Sequence, residues 1–432
     1  MDVKEALEYI HNVSWNVCRP GLERIRGLLE RMGNPQKGLK FVHVAGTNGK
    51  GSVCAMTESV LRKAGYRTGL FTSPYVERFN ERIRVNGEDI PDKDLAELTA
   101  FVRSFAEEMA EHPTEFELVT AIGFEYFRRR ECDIVVLEVG LGGALDSTNV
   151  IEAPILSVIT EIDLDHTVIL GGTIKEIAAA KAGIIKAGRP VVSADNANEA
   201  AAVVSEVCAR LGCRRIRPDY GALADRRCGR EGISFRYKDF GDLRVSLWGT
   251  YQFRNAAATL AALEVLGEEG FSISAEAVKA GFAAVRWPAR FQLLRENPPF
   301  IFDGGHNPQG VRAACESYTA HFGDEKAVFL TGVMADKDYK TQIRTMLPLA
   351  LEFVTVSADS PRALSAAVYA EAIRAAGGRA TACGTVEEGV RVAIKLSGGK
   401  TPVLALGTLH MYGQVVEELG KEFKVRNHGT LT

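Results

Sequence analysis

Apolar and polar positions along this chain follow two periods that take turns. Short apolar, β-branched runs at Leu39–Ala45, Tyr66–Thr72, Asp133–Val139, Ile155–Thr160 and Pro190–Ser193 read as strands. Longer amphipathic stretches at Val53–Ala64, Asp92–Ala110, Glu115–Arg130 and Thr173–Ile185 read as helices between them. The run DIVVLEV at Asp133–Val139 is almost unbroken in its apolar character, as a strand buried on both faces requires. This order predicts an α/β fold whose first domain holds a mostly parallel sheet covered by helices. A second series starts near Arg290. Strands are predicted at Phe300–Asp303, Ala327–Thr331, Phe353–Val356 and Val403–Leu406, with helices at Gln309–His321, Tyr339–Leu349, Ala363–Ala376 and Val386–Leu396. This is a second, smaller α/β domain. Pro288 ends the helix before it, which puts the junction at 285–288 and the domains at 1–288 and 289–432.

Length and charge narrow the function classes. A chain of 432 residues has room for two or three domains. Its net charge of −3 gives no general attraction to nucleic acid or to an anionic membrane. Arg214, Arg215, Arg217, Arg226, Arg227 and Arg230 crowd one stretch, but no aromatic residues interleave to stack bases, so it reads as a solvated excursion. The first residues carry no signal peptide, and no apolar run reaches the ~18 residues that span a bilayer. The eight cysteines are scattered without a CxxC pair, which fits reduced thiols in the cytoplasm.

The strongest chemical signal is His43-Val44-Ala45-Gly46-Thr47-Asn48-Gly49-Lys50-Gly51-Ser52, between a predicted strand and a predicted helix. Glycines let a backbone wrap a phosphate, and the helix turns its positive end toward the same anion. Lys50 adds a mobile charge, and a hydroxyl can reach Mg²⁺. The spacing departs from the usual phosphate loop: Val44 stands at the first glycine position, and Gly51 separates Lys50 from Ser52. Glu138 ends DIVVLEV at the strand end where ligands bind in parallel sheets, and its hard oxygens suit Mg²⁺. Gly140–Gly143 fails the dinucleotide spacing. Asp163-Leu164-Asp165-His166 could position a second cation or form a structural turn. Lys181 lies in an apolar helix, where it either snorkels or is held for a purpose. Asp303-Gly304-Gly305-His306-Asn307-Pro308 puts polar groups at a strand end of the second domain.

Together these motifs resemble the folylpolyglutamate synthase/dihydrofolate synthase branch of the Mur ligase superfamily. The resemblance runs through GTNGKGS at Gly46–Ser52, TSPY at Thr72–Tyr75, FNERIRVNG at Phe79–Gly87, EFE at Glu115–Glu117 and LEVGLGGALDSTN at Leu137–Asn149. It continues through DLDHT at Asp163–Thr167, KAGI at Lys181–Ile184, YQFRNA at Tyr251–Ala256, WPARFQ at Trp287–Gln292 and DGGHNPQG at Asp303–Gly310.

The resemblance implies a P-loop ATPase domain followed by a Rossmann-like domain, with ATP and two Mg²⁺ ions between them. Ser73 and Glu138 would ligate one ion, while Glu138, His166 and a carbamylated Lys181 would serve the other. Gly46–Ser52 would bind ATP, and Asn255, Arg290 and Asp303 would contact it from the partner side. His306 would lie near the phosphates and the incoming L-glutamate. Thr72, Pro74, Arg82 and Asp146 would border a dihydropteroate or reduced-folate substrate. A monomer acting on small molecules is expected. Two rivals stay open at this point: a Mur-type ligase acting on a nucleotide-linked acid, and a nucleotide switch without synthesis. The chain also departs from the family's commoner pattern. Tyr251 replaces His, Val168 an acid and Gly305 Ala, and Gly407–His410 is a loose form of a Gly-Ser-Leu-Tyr turn.

Overall fold

A computed structural model of the chain describes residues 1–13, 21–194 and 198–428. Contacts divide it into two compact units. One comprises Met1–Ala224, Arg236–Arg244 and Phe253–Val285; the other comprises Asp225–Phe235, Val245–Gln252 and Arg286–Thr432.

The first unit is built on an eight-stranded sheet of β1 (Phe41–Ala45), β2 (Thr68–Phe71), β3 (Ile83–Val85), β4 (Glu88–Asp89), β5 (Ile134–Glu138), β6 (Leu156–Ile159), β7 (Val191–Ser193) and β8 (Arg215–Ile216). Their order is β4-β3-β2-β5-β1-β6-β7-β8. The run from β2 to β8 is parallel, while β3 and β4 add an antiparallel edge. β1 and β5 are buried along their whole length, which explains their nearly continuous apolar sequence. Helices follow where capping favours them. Thr114 and Glu117 form a reciprocal cap on Glu115–Arg129, and Thr173 and Glu176 do the same for Ile174–Ala182.

A small three-stranded sheet follows, made of β9 (Ala224–Gly229), β10 (Gly232–Tyr237) and β11 (Gly241–Val245) in the order β11-β10-β9. The second unit's main sheet has β12 (Gln292–Glu296), β13 (Pro299–Asp303), β14 (Ala327–Thr331), β15 (Ala350–Thr355), β16 (Ala380–Ala382) and β17 (Val403–Leu406), ordered β12-β13-β17-β14-β15-β16. It is parallel except for β12. Its core gathers Ile301, Phe329, Phe353 and Leu404 with Tyr318 and Tyr369.

The parallel sheet and both helix series therefore form as the sequence predicts, with ends shifted by a few residues. The helix predicted from Val53 starts at Lys50, because the glycine turn hands directly into it. Among the described residues no helix is long and apolar enough to cross a membrane, and the described cysteines are all free.

Candidate active site

In the first unit β1 lies between β5 and β6, so three neighbouring parallel strands end side by side. Their carboxyl ends carry the predicted chemistry, as the geometry of open α/β sheets leads one to expect. The turn after β1 is fastened to the end of β6: Thr47 N donates to Glu161 O at 2.7 Å, and the Thr160 hydroxyl donates to Asn48 O at 2.7 Å. The Thr47 hydroxyl donates to Asp163 O at 3.0 Å. Gly49 has φ 87°, a left-handed conformation that favours glycine, and a Cβ there would come within 2.4 Å of Asn255 Oδ1. Asn255 is thus beside the turn and in the same unit.

The helix Lys50–Lys63 starts at this turn, and Gly51 and Ser52 are buried in its first turn. Its N-terminus supplies amide donors and a positive dipole end. Lys50 Nζ folds back onto the carbonyls of Gly46 (3.2 Å) and Thr47 (3.3 Å). A second ammonium meets it there, because Lys181 Nζ donates to Gly46 O at 2.6 Å. Lys181 is 5% exposed, so the helix buries it and it does not snorkel. Burial, together with repulsion from Lys50, lowers its pKa to about 7.

The glycines of the adjoining turn have a packing reason. A Cβ at Gly143 would stand 2.8 Å from the carbonyl oxygens of Ala180 and Lys181, and one at Gly183 would stand 2.4 Å from Ala144 Cβ. The turn after β5 therefore lies directly on the helix that carries Lys181.

Glu138 is buried at the end of β5 in register with Val44, and its Oε2 accepts from Ser73 N at 3.1 Å. Cys54 lies close enough to feel both Glu138 and Lys50, and burial pushes its thiol well above the usual range. The Ser73–Pro74 peptide is cis. Thr72 is buried; its amide donates to Arg82 O at 3.0 Å and its hydroxyl to Glu81 O. Arg82 packs over the rings of Tyr75 and Phe79 and pairs with Glu115 at 3.8 Å. Burial lowers its pKa, and its buried Nε has no partner.

Asp146 turns inward. Its carboxylate accepts from Leu141 N, from Thr148 N and from the Thr148 hydroxyl. The Thr148 oxygen also contacts His43 Nε2 at 2.9 Å. Because that hydroxyl gives its only proton to Asp146, His43 must donate to it from Nε2. Burial holds His43 neutral, with its pKa lowered to about 3. Neither His43 nor Thr148 is assigned a role by sequence reasoning. The sequence signal was a polar residue inside an otherwise apolar strand.

His166 has φ 50°, and its side chain is 42% exposed beside Asp165. Among the described residues no three His, Cys, Asp or Glu side chains stand close enough to hold an ion by themselves. Glu138 and Ser73 fit a hard cation in chemistry, whereas Lys181 as an ammonium does not. The implied set of Ser73, Glu138, His166 and Lys181 therefore depends on a change in Lys181.

In the second unit Asp303 ends β13 and is 3% exposed. Burial raises its pKa, yet its oxygens are well supplied with donors. Oδ2 accepts from Phe291 N (2.8 Å) and the Tyr251 hydroxyl (2.7 Å), and Oδ1 accepts from Gly305 N (2.7 Å). Arg290 sits between Ala289 (φ 58°) and Phe291 (φ 45°), two buried residues in the left-handed region. Such conformations cost about 1–3 kcal/mol each and persist only where neighbours enforce them. His306 caps the same end, with Nδ1 3.1 Å from Gly304 O and its carbonyl held by Gln342 Nε2 at 2.9 Å. Asn307 caps the helix Pro308–Phe322 through Gly310 N. Burial lowers the pKa of His410, which the sequence places only in a loose turn, and the neighbouring Arg362 adds to the effect.

Known proteins match this arrangement. The Mur ligase middle domain family matches residues 44–263, and the Mur ligase glutamate ligase domain family matches 289–409. A dihydrofolate synthase/folylpolyglutamate synthase of Bacillus subtilis is 40% identical over 371 residues, covering 83% of this chain and 86% of its own. A folylpolyglutamate synthase of Lacticaseibacillus casei is 39% identical over 381 residues, covering 85% and 89%. The Mycobacterium tuberculosis folylpolyglutamate synthase solved with ADP superposes with a TM-score of 0.90 at 28% identity, covering 97% of this chain and 98% of that one.

Proposed function

The chain belongs to the folylpolyglutamate synthase/dihydrofolate synthase family of the Mur ligase superfamily, and on that premise we propose how its residues divide the work. The protein is an ATP-dependent ligase that adds L-glutamate to a folate-type carboxylate. Residues 1–288 serve ATP binding and 289–432 glutamate ligation, with Asp225–Phe235 and Val245–Gln252 of the first stretch packing with the second unit, and the protein acts as a monomer in the cytoplasm.

The acceptor's carboxylate oxygen attacks the γ-phosphorus of ATP. An acyl phosphate forms and ADP leaves. The glutamate amine then attacks the acyl carbon, phosphate leaves with the C–O electron pair, and the amine loses a proton as the amide forms. The amides of Gly46–Ser52 hold the triphosphate tail. Lys50 swings from the Gly46 and Thr47 carbonyls onto the transferring phosphoryl group, where preorganised charge contributes most.

Arg82, with its unpartnered Nε, faces the acceptor acid alongside Thr72 and Pro74. Asp146 shapes that side by holding its own loop. Asn255 steadies the phosphate turn from beside Gly49. In the second domain Arg290 meets the nucleotide and His306 the glutamate, while Asp303 serves nucleotide binding by holding the turns around them.

Mg²⁺ at Ser73, Glu138 and His166 would supply charge neutralisation for the phosphates. Lys181 joins that set once carbamylated. Its neutral amine attacks CO₂, a proton is released, and a buried cation becomes a carboxylate-like ligand. A pKa near 7 keeps a share of that amine unprotonated at neutral pH.

The observation that carries this reading is the pair of lysines on the Gly46 carbonyl at the start of a buried helix. It is tested by incubating the enzyme with MgATP and L-glutamate, and either dihydropteroate or reduced folate. A product heavier by one glutamyl residue, with one ADP per bond, is expected. ADP release without any glutamylated product overturns the reading.

A further inference from the structure

Asp303 is held from two sides, by the Tyr251 hydroxyl and by the Gly305 amide. On one side the Tyr251 hydroxyl donates to Oδ2 at 2.7 Å. On the other, Gly305 donates its amide to Oδ1, and its missing side chain leaves room there: a Cβ at position 305 would stand 2.9 Å from Oδ1 and 2.9 Å from the Gly310 carbonyl carbon. The Gly310 side of that contact is backbone at the start of a helix, so the carboxylate is the neighbour that yields and the turn carrying residue 305 must shift with it. The position of Asp303 thus depends on a long donor at 251 and on no side chain at 305.

What the carboxylate holds is backbone. Oδ2 fixes the amide of Phe291, a bulky residue at φ 45°, and Oδ1 fixes the amide of Gly305. Gly304 N closes the assembly by donating to Ala289 O at 2.9 Å, and Gln292 Oε1 accepts from Ala289 N at 2.9 Å. Arg290 lies over Gly304, where a Cβ would come within 2.7 Å of its Nη1. Two turns, Ala289–Phe291 and Gly304–His306, therefore share one buried anion as their common anchor. A left-handed bulky residue holds its conformation only while its amide is claimed this way.

We propose that Tyr251 and Gly305 are a matched pair of positioning residues, which set the Asp303 carboxylate and through it aim Arg290 and His306 at the nucleotide and glutamate. This rests on the nucleotide and glutamate roles given above for Arg290 and His306. A histidine at 251 is shorter than tyrosine, so the carboxylate must move to meet it. An alanine at 305 moves the same carboxylate from the other side. Each change alone misplaces the anchor, and each is tolerated better in the presence of the other.

The test is a double-mutant cycle on the full-length enzyme with Tyr251→His, Gly305→Ala and their combination, plus Tyr251→Phe. Each single variant, and Tyr251→Phe, should raise KM for ATP or for glutamate by about tenfold with kcat changed less. The double variant should lose far less than the product of the two single losses. Amide hydrogen exchange at Phe291 and at residue 305 should quicken in each single variant, Tyr251→Phe included, and return toward wild type in the double variant. Multiplicative losses with unchanged exchange overturn the proposal, as does a Tyr251→Phe enzyme with wild-type constants and exchange. If wild type itself makes no glutamylated product, the functional reading fails, while the exchange cycle still decides whether the pair holds the turns.

Discussion

The two units use the same architectural position, the carboxyl ends of parallel strands, with opposite charge. At the end of β1 two ammonium groups converge on one backbone carbonyl, Gly46 O. At the end of β13 one carboxylate gathers two amides and a hydroxyl. The difference lies in what is left to do. Lysine ammoniums resting on neutral carbonyls make charge-assisted hydrogen bonds, worth about 1.5–3 kcal/mol net, and the opposite charge of a phosphate attracts them more strongly. A buried carboxylate with three donors is committed, because any donor it abandons is left unpaired in the interior. On the proposed roles, one region holds groups free to be redirected, whereas the other holds a frame.

The largest effect should come from breaking the first region. Lys50→Ala should lower kcat for glutamate ligation by about 10²–10³, the usual cost of removing one donor aimed at transition-state charge. Steady-state rates with saturating MgATP check this, and an unimpaired variant would remove Lys50 from the chemistry.

Lys181→Ala should cost about a hundredfold and abolish any carbamate signal when the protein is equilibrated with ¹³C-bicarbonate. In wild type that signal should grow as pH rises through about 7, because only the unprotonated amine reacts and its pKa lies there. A signal that falls over the same range refutes the assignment.

Breaking the frame should act on stability as well as on KM. Asp303→Asn turns an NH₂ group toward donors on at least one side, so the variant should lose about 2–3 kcal/mol in denaturant unfolding. An unchanged midpoint would mean that the turns hold without their anion.

The smallest effect concerns His43. Its folded pKa of about 3 lies below the usual 6.5, so unfolding takes up a proton once the pH drops below the unfolded value. That stability is whole above pH ~6.5 and drains away toward about 3, amounting to about 2 kcal/mol lost by pH 5. His43→Gln should be about 1 kcal/mol weaker at neutral pH and should lose less on acidification. Parallel stability curves for the two proteins would contradict a buried neutral imidazole.

How much of this could be read in the sequence depended on the range of the interaction. The turn at Gly46–Ser52 was legible because wrapping an anion demands glycine, a lysine and a following helix within ten residues. Glu138 was legible because β5 is apolar up to that residue. The hairpin of β3 and β4 and the strands β9 to β11 were not named. They are short, and β9 is exposed at nearly every residue, so it lacks the alternation that marks a strand. The arginines read there as solvated are partly engaged: Arg214 pairs with Glu268, and Arg215 donates to Ala201 O at 3.2 Å. The Lys181 environment stayed open because its helix alone cannot show that the 135-residue return to Gly46 O takes place. Tyr251 and Asp303 are 52 residues apart, and nothing local announces their bond.

If the glycine turn holds the nucleotide as proposed, its fastening to β6 also sets when during synthesis that binding can begin. The whole GTNGKGS segment is translated by residue 52, yet the atoms that pin it, Thr160 Oγ1, Glu161 O and Asp163 O, arrive more than a hundred residues later. Closing so long a loop is slow and comes after local helices have formed. On the proposed role of the turn, a nascent chain halted before β6 would carry the complete motif and bind no ADP, and ADP binding to such a truncated chain would contradict that role.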